Sequence, residues 1–204
     1  MPAITFAQTK SCCYIAYDGR RGQVWNFPDG TVWEVVDHWS TMLTGFKAVA
    51  MRQTGAGRTL VLAFAGTDSL RDVVSDAAQV LGFVPFQYHQ ALRLARSLNP
   101  NHYTGHSLGG GMADYCAVLT GVEATTINPA PLVAASTISA WLLPNRHIVN
   151  YIAGGSEFVS SSIGVNPGQN VPVEANGNFF TRHSLANVGP RIALPTLRGT
   201  GAPS

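Results

Sequence analysis

Residues 103–111 read Tyr-Thr-Gly-His-Ser-Leu-Gly-Gly-Gly and hold the pattern Gly105-x-Ser107-x-Gly109. This string constrains the fold more than any other. A serine in such a pattern sits on a sharp, strained strand-to-helix turn with its hydroxyl at the end of a sheet. Glycines two before and two after it let neighbouring backbone pass without a Cβ clash. The helix that follows aims its first N–H groups back at the serine, where they favour a developing negative oxygen. A chain built around this turn needs a strand just before residue 107 and a helix just after it.

The flanking sequence supplies both. A short strand at 102–105 leads into Ser107, and 108–120 is small-sided and helical. Upstream, 31–36, 46–51 and 60–64 are apolar and β-branched. The run Leu-Val-Leu-Ala-Phe at 60–64 suits a strand covered on both faces. Residues 69–81 place Leu70, Val73, Val74, Ala77, Ala78 and Leu81 on one helical stripe, with Asp68 or Ser69 as cap and Asp72 in the first turn. A second helix is expected over 86–98, closed by Asn99-Pro100-Asn101. Strands at 124–128 and 147–152, with a helical stretch at 134–143 between them, continue the alternation. Residues 17–32 read as a loop or hairpin. No repeat, low-complexity block or linker divides the chain. The expectation is one α/β domain over 1–204, with its core at roughly 45–186 and a mainly parallel central sheet flanked by helices.

Composition excludes several classes. Charged residues make up 12% and hydrophobic ones 46%, against a usual charged share of about 25%, so disorder is ruled out. The net charge is +2, Lys occurs only at Lys10 and Lys47, and Arg20-Arg21 is the one basic pair. No basic stripe offers itself to nucleic acid. Cys12, Cys13 and Cys116 cannot form a disulfide framework and are expected as buried thiols. No cysteine–histidine spacing suits a metal. No apolar run reaches the roughly 18 residues of a membrane span. The first ten residues lack a secretory leader pattern, which leads us to expect a cytoplasmic chain or one exported by a leaderless route.

A reactive serine needs a base, and the base needs an orienting acid. For this turn the chain order is serine, acid, histidine. After Ser107 only His147 and His183 remain, and the carboxylates before His183 are Asp114, Glu123, Glu157 and Glu174. His147 begins a strand, so His183 is the better base. Asp114 lies too close behind the serine, and Glu123 precedes its strand. Glu157 follows the 147–152 strand by a glycine turn, where open α/β sheets place their sites. Glu174, in a loop rich in Pro, Asn and Gly, is the second candidate. One oxyanion donor is expected from the backbone N–H of Leu108 and the other from the loop at 65–68.

These pieces together resemble the class 3 lipases of the α/β-hydrolase fold. Phe64-Ala65-Gly66-Thr67 is similar to the family's oxyanion segment, with Asp72 and Asp76 following it. Tyr88-His89 precedes Ala91-Leu92 as in the next helix, and Thr104–Gly110 resembles the elbow. Asn150-Tyr151, then Glu157-Phe158-Val159, then Arg182-His183-Ser184-Leu185 resemble its later motifs. The resemblance implies Ser107 as nucleophile, Glu157 as acid, His183 as base, and Thr67 with Leu108 at the oxyanion. Two departures are an alanine, Ala65, where the family has arginine, and a glutamate at 157 where it has aspartate. It implies hydrolysis of lipid acyl esters, with transient contact with a lipid interface; no Asp/His cluster suggests calcium or zinc, so a mechanism without cofactor or metal is expected. A phospholipase A-type activity, or a non-catalytic lipid- or partner-binding role, is the alternative. A short lid is expected at 80–86, between two helices, presenting Leu81, Phe83, Val84 and Phe86.

Overall fold

The computed structural model describes residues 4–55, 59–66, 77–132, 147–154, 166–176 and 179–198. The expected strands are there, and they assemble with others into one sheet. Its strands are β1 (Val24–Asn26), β2 (Val32–Thr41), β3 (Phe46–Gln53), β4 (Leu60–Phe64), β5 (His102–His106), β6 (Glu123–Ile127), β7 (Ile148–Ala153), β8 (Gln169–Val173) and β9 (Thr196–Leu197). Among the described residues the order is β8-β7-β6-β5-β4-β3-β2-β1-β9. The block β4 to β8 is parallel, and β3, β2, β1 and β9 extend it as an antiparallel wing. All five parallel strands therefore point their C-terminal ends at one edge. Pro172 lies within the outermost strand β8, and Pro195 directly precedes the outermost strand β9.

Four helices are described: α1 (Phe6–Asp18), α2 (Ala77–Leu98), α3 (Leu108–Thr120) and α4 (Phe179–His183). α1 covers one face of the sheet and α2 and α3 the other, and strand alternation sorts the core accordingly. Leu62 and Phe64 of β4, with Ala48 and Tyr103, pack against Tyr88, Ala91, Leu92, Met112 and Cys116 of α2 and α3. Val61, Ala63 and Ala65, with Val49 and Met51, face Cys12, Ile15 and Ala16 of α1. The three cysteines are free and buried, as expected. No helix among the described residues is long and apolar enough to cross a membrane.

Two local readings change. The 17–32 region holds the expected hairpin, β1 turning into β2, but ahead of it runs a helix, α1, that no apolar stripe announces. Its N-terminus is a capping box: Thr5 Oγ1 accepts from Gln8 N–H at 3.2 Å, and Gln8 Oε1 accepts from Thr5 N–H at 3.0 Å. Its buried face mixes Thr9, Lys10 and Ser11 with Cys12, Cys13, Ile15 and Ala16. The Lys10 Nζ donates to the Val188 carbonyl at 3.0 Å, so the buried amine has a partner.

The second change concerns 80–86. Instead of connecting two helices, it runs inside one helix, α2, through Gly82 and Pro85. Proline fixes a φ the helix already requires and removes one hydrogen bond. Tyr88, Ala91, Leu92 and Ala95 anchor the later turns in the core, and each further turn then propagates cheaply. Residues 69–76 and the expected helix at 134–143 lie outside the described residues.

One core group conflicts with its surroundings. Asp114 of α3 is wholly buried, and neither carboxyl oxygen has a hydrogen-bond partner among the described residues. Burial raises its pKa well above the ordinary 3.8. The unfolded chain releases this proton near pH 3.8, whereas the folded chain holds it to much higher pH. The group therefore costs stability as pH rises above that value. Asp114→Asn, which cannot ionise, is expected to raise the melting temperature by several degrees at pH 8. The difference should vanish as the pH approaches 4, as thermal melts across that range will show.

Candidate active site

β5 ends at His106, and the chain turns through Ser107 into α3. Ser107 has φ 57° and ψ −125°, a conformation that costs an L-residue energy and persists only where packing enforces it. The packing is visible on every side. A Cβ on Gly105 would overlap the Gly109 carbonyl, and one on Gly109 would overlap the Phe64 carbonyl. The end of β4 thus lies directly on the first turn of α3. Ser107 N–H donates to the Ile127 carbonyl at 3.1 Å, and its own carbonyl accepts from Ala130 N–H at 2.8 Å. The serine is nearly buried, at 6% exposure. The leading N–H groups of α3, that of Leu108 among them, have no intrahelical partner by geometry.

The loop after β4 passes against the elbow. A Cβ on Gly66 would stand 3.3 Å from Ser107 Cβ, 2.9 Å from the His106 carbonyl and 3.0 Å from the Tyr17 hydroxyl. Thr67, the next residue, lies outside the described residues. The approach of Gly66 shows why this loop must be glycine at that point.

His183 is the last residue of α4. Its ring lies 5.2 Å, centroid to centroid, from that of His106, the residue before the serine. The two are also joined through backbone: His106 Nε2 lies 2.7 Å from the His183 carbonyl oxygen. A carbonyl only accepts, so Nε2 carries the proton. Burial lowers the His106 pKa to about 4, the bond to the His183 carbonyl partly opposing it, so the ring is neutral at neutral pH. Its Nδ1 is then an acceptor, and the Tyr17 hydroxyl of α1 lies 3.3 Å away to donate. Burial, then the neighbouring His106, lowers the His183 pKa to about 3.

Sequence reasoning missed Asn128, which completes this arrangement. It stands just past β6 with φ 44°. Its Nδ2 donates to the carbonyls of Arg182 and His183 at 3.4 and 3.3 Å, and its Oδ1 accepts from Ala153 N–H at 2.7 Å. Arg182 adds a bond from Nη1 to the Gly154 carbonyl at 3.2 Å. The ends of β6 and β7 thereby hold the backbone of α4. The available signal was an Asn-Pro pair at the C-terminal end of an expected strand. Asparagine tolerates the left-handed region, and such strand ends are where sites are built.

The other candidates sort by edge. His147 precedes β7 at the far edge, and its Nε2 donates to the Ala117 carbonyl at 3.1 Å. Glu123 opens β6 at that same far edge, with Oε2 3.7 Å from His102 Nδ1. Glu174 follows β8 on the edge that holds Ser107, is exposed, and gives its carbonyl to Gly189 N–H at 2.7 Å. Glu157 lies outside the described residues; the chain leaves β7 for it at Gly154, also on the serine edge. Of the expected lid, Phe86 is 66% exposed on α2. Leu81, Phe83 and Val84 lie in the same helix, their side chains outside the described set.

Known proteins share parts of this architecture. The triacylglycerol lipase of Penicillium expansum matches with a TM-score of 0.51 at 12% identity, covering 83% of this chain and 78% of that one. Lipase II of Rhizopus niveus matches with a TM-score of 0.50 at 17% identity, covering 79% and 72%. The two establish the α/β-hydrolase-like fold, and the resemblance to class 3 lipases holds broadly at that level. An extracellular phospholipase A1 of Serratia liquefaciens is 44% identical over 75 residues, which are 34% of this chain. The matched part spans about a quarter of that relative, 24%. Residues 27–145 match the model of a phospholipase-like family, the Tle-like phospholipase domain. With more than half of its residues under that model, the chain belongs to the Tle-like phospholipase domain family.

Proposed function

We propose that this chain is a serine hydrolase that cleaves acyl-ester bonds of glycerophospholipids. The observation that carries the reading is Ser107, held at φ 57° between β5 and α3, with the backbone of His183 bonded to the residue beside it. The phospholipase family and the Serratia relative favour a phospholipid over a triglyceride. The family match includes Ser107 and stops before Glu157 and His183. Those two roles rest on chain order and on the placement of α4.

In the proposed reaction, Ser107 Oγ attacks the ester carbonyl carbon and His183 takes its proton. Burial keeps His183 neutral, the form able to accept it. The backbone N–H groups of Thr67 and Leu108 hold the oxyanion. The tetrahedral intermediate collapses, the C–O bond to the lysolipid breaks, and His183 returns the proton to the departing alkoxide. Water, deprotonated by His183, then attacks the acyl-serine carbonyl, the bond to Ser107 Oγ breaks to release the fatty acid, and His183 returns the proton to Oγ. Glu157 orients the imidazole and stabilises its cationic form.

A fluorophosphonate probe is expected to label the folded protein, and Ser107→Ala to abolish both labelling and fatty-acid release, with kcat down roughly a thousandfold or more. Absence of labelling in folded protein would leave a non-catalytic lipid-binding domain. Glu157→Ala is expected to lower kcat by roughly 10³–10⁴-fold, while Glu174→Ala stays near the parent; the reverse pattern assigns the acid to Glu174. A panel of phosphatidylcholine vesicles, triolein emulsion and p-nitrophenyl esters is expected to show turnover of vesicles above emulsion. Asn128→Ala leaves the Ala153 N–H without its acceptor and loosens α4. It is expected to cost about 1–3 kcal/mol of stability, seen in denaturant unfolding, and to lower kcat more than it changes KM.

A further inference from the structure

The β2–β3 hairpin presents an arrangement that folding alone does not explain. Its tip carries Met42 and Leu43, which are 101% and 88% exposed. Tight turns ordinarily hold Gly, Asn, Asp or Pro, and adjacent large apolar side chains in water are a cost the fold does not recover. The tip is also rigid. Gly45, at φ 66°, donates its N–H to the Thr41 carbonyl at 2.9 Å. Thr44 Oγ1 donates to Gln90 Oε1 at 3.0 Å, and Gln87 Nε2 donates to the Thr44 carbonyl. Gln87 and Gln90 belong to α2, and the residue before Gln87 is the exposed Phe86. Two hydrogen bonds thus fasten the tip beside Phe86 and place three large apolar side chains on one rim.

That rim lies on the serine edge. The hairpin enters β3 at Phe46, and Ala48 pairs with Phe64 at the end of β4. The Lys47 carbonyl accepts from Ala65 N–H at 3.1 Å, and Gly66 follows against Ser107.

We propose that Met42 and Leu43, with Phe86, form an anchor that docks the serine edge onto a phospholipid surface. This deepens the reading of the chain as a phospholipid hydrolase and rests on it. Apolar side chains enter the headgroup–acyl boundary on the same sheet edge at which Ser107 must meet the ester. Because two hydrogen bonds fix the tip, little is lost in ordering it on contact.

The test separates docking from turnover. Ser107→Ala protein is sedimented with vesicles of phosphatidylcholine and phosphatidylglycerol, so binding is read without hydrolysis. The added double change Met42→Gln/Leu43→Gln is expected to weaken binding by roughly tenfold to a hundredfold. With Ser107 intact, the double variant is expected to keep kcat/KM on a soluble short-chain ester within about twofold of the parent, while its KM for vesicles rises by a similar factor to the binding loss. As an independent readout, Leu43→Trp is expected to add a blue-shifted emission component on vesicle addition. The proposal is overturned if the double variant binds vesicles as tightly as its parent, or if the Ser107→Ala protein does not bind them. It is equally overturned if light scattering shows a dimer that the double change dissolves, since the rim would then join two copies of the chain. Loss of soluble-ester turnover in the parent would instead sink the hydrolase reading, leaving vesicle binding as a separate result.

Discussion

The contact between the end of β4 and the first turn of α3 is the constraint on which the site depends. Only glycine at 105 and 109 lets the Phe64 carbonyl reach the helix backbone. With that approach closed, Ser107 is pinned between β5, the Ile127 carbonyl and Ala130 and held in a conformation it would not choose. Strain at such a point persists because the surroundings over-determine it. The same contact brings Gly66 to the serine, so the loop after β4 is positioned without any side chain to direct it.

Around this pin the described residues make contact through neutral polar groups. His106 is buried, with its pKa lowered to about 4 mainly by burial. His106 bridges the Tyr17 hydroxyl and the His183 carbonyl, which ties the first helix to the last across the elbow. Asn128 works from the other side on the same carbonyl. A neutral imidazole and an amide avoid the desolvation cost of a buried charge and still fix direction. The low charged fraction of the sequence, 12%, is consistent with a site held in this way.

What the sequence made legible follows from how strongly each piece is patterned. β4, β5, α3, β6 and β7 announce themselves through β-branched runs and the glycine-framed serine, and they lie within a residue or two of expectation. α1 does not, since Lys10, Thr9 and Ser11 stand on its buried face, where polar residues mask the helical period. Its Thr5–Gln8 box was readable but carried no weight without a stripe to follow. α2 was divided because Gly82 and Pro85 usually punctuate, and here packing further along outweighs them. β8 and β9 are short and polar, and Asn128 acts through atoms with no sequence spacing to detect. Glu157 and Glu174 look alike in sequence for a simpler reason: both follow strands that end on the serine edge.

The two outermost strands have a consequence beyond the site. A sheet edge offers unpaired N–H and C=O groups to any extended chain, and long mixed sheets risk growing by addition. Here β8 carries Pro172 in register with Ile152, and Pro195 stands immediately before β9. A proline has no N–H to donate and interrupts the ladder that a newcomer would need. Both ends of the sheet that the described residues build therefore resist templating another molecule. In a protein this apolar, that guards against aggregation without spending a single charge.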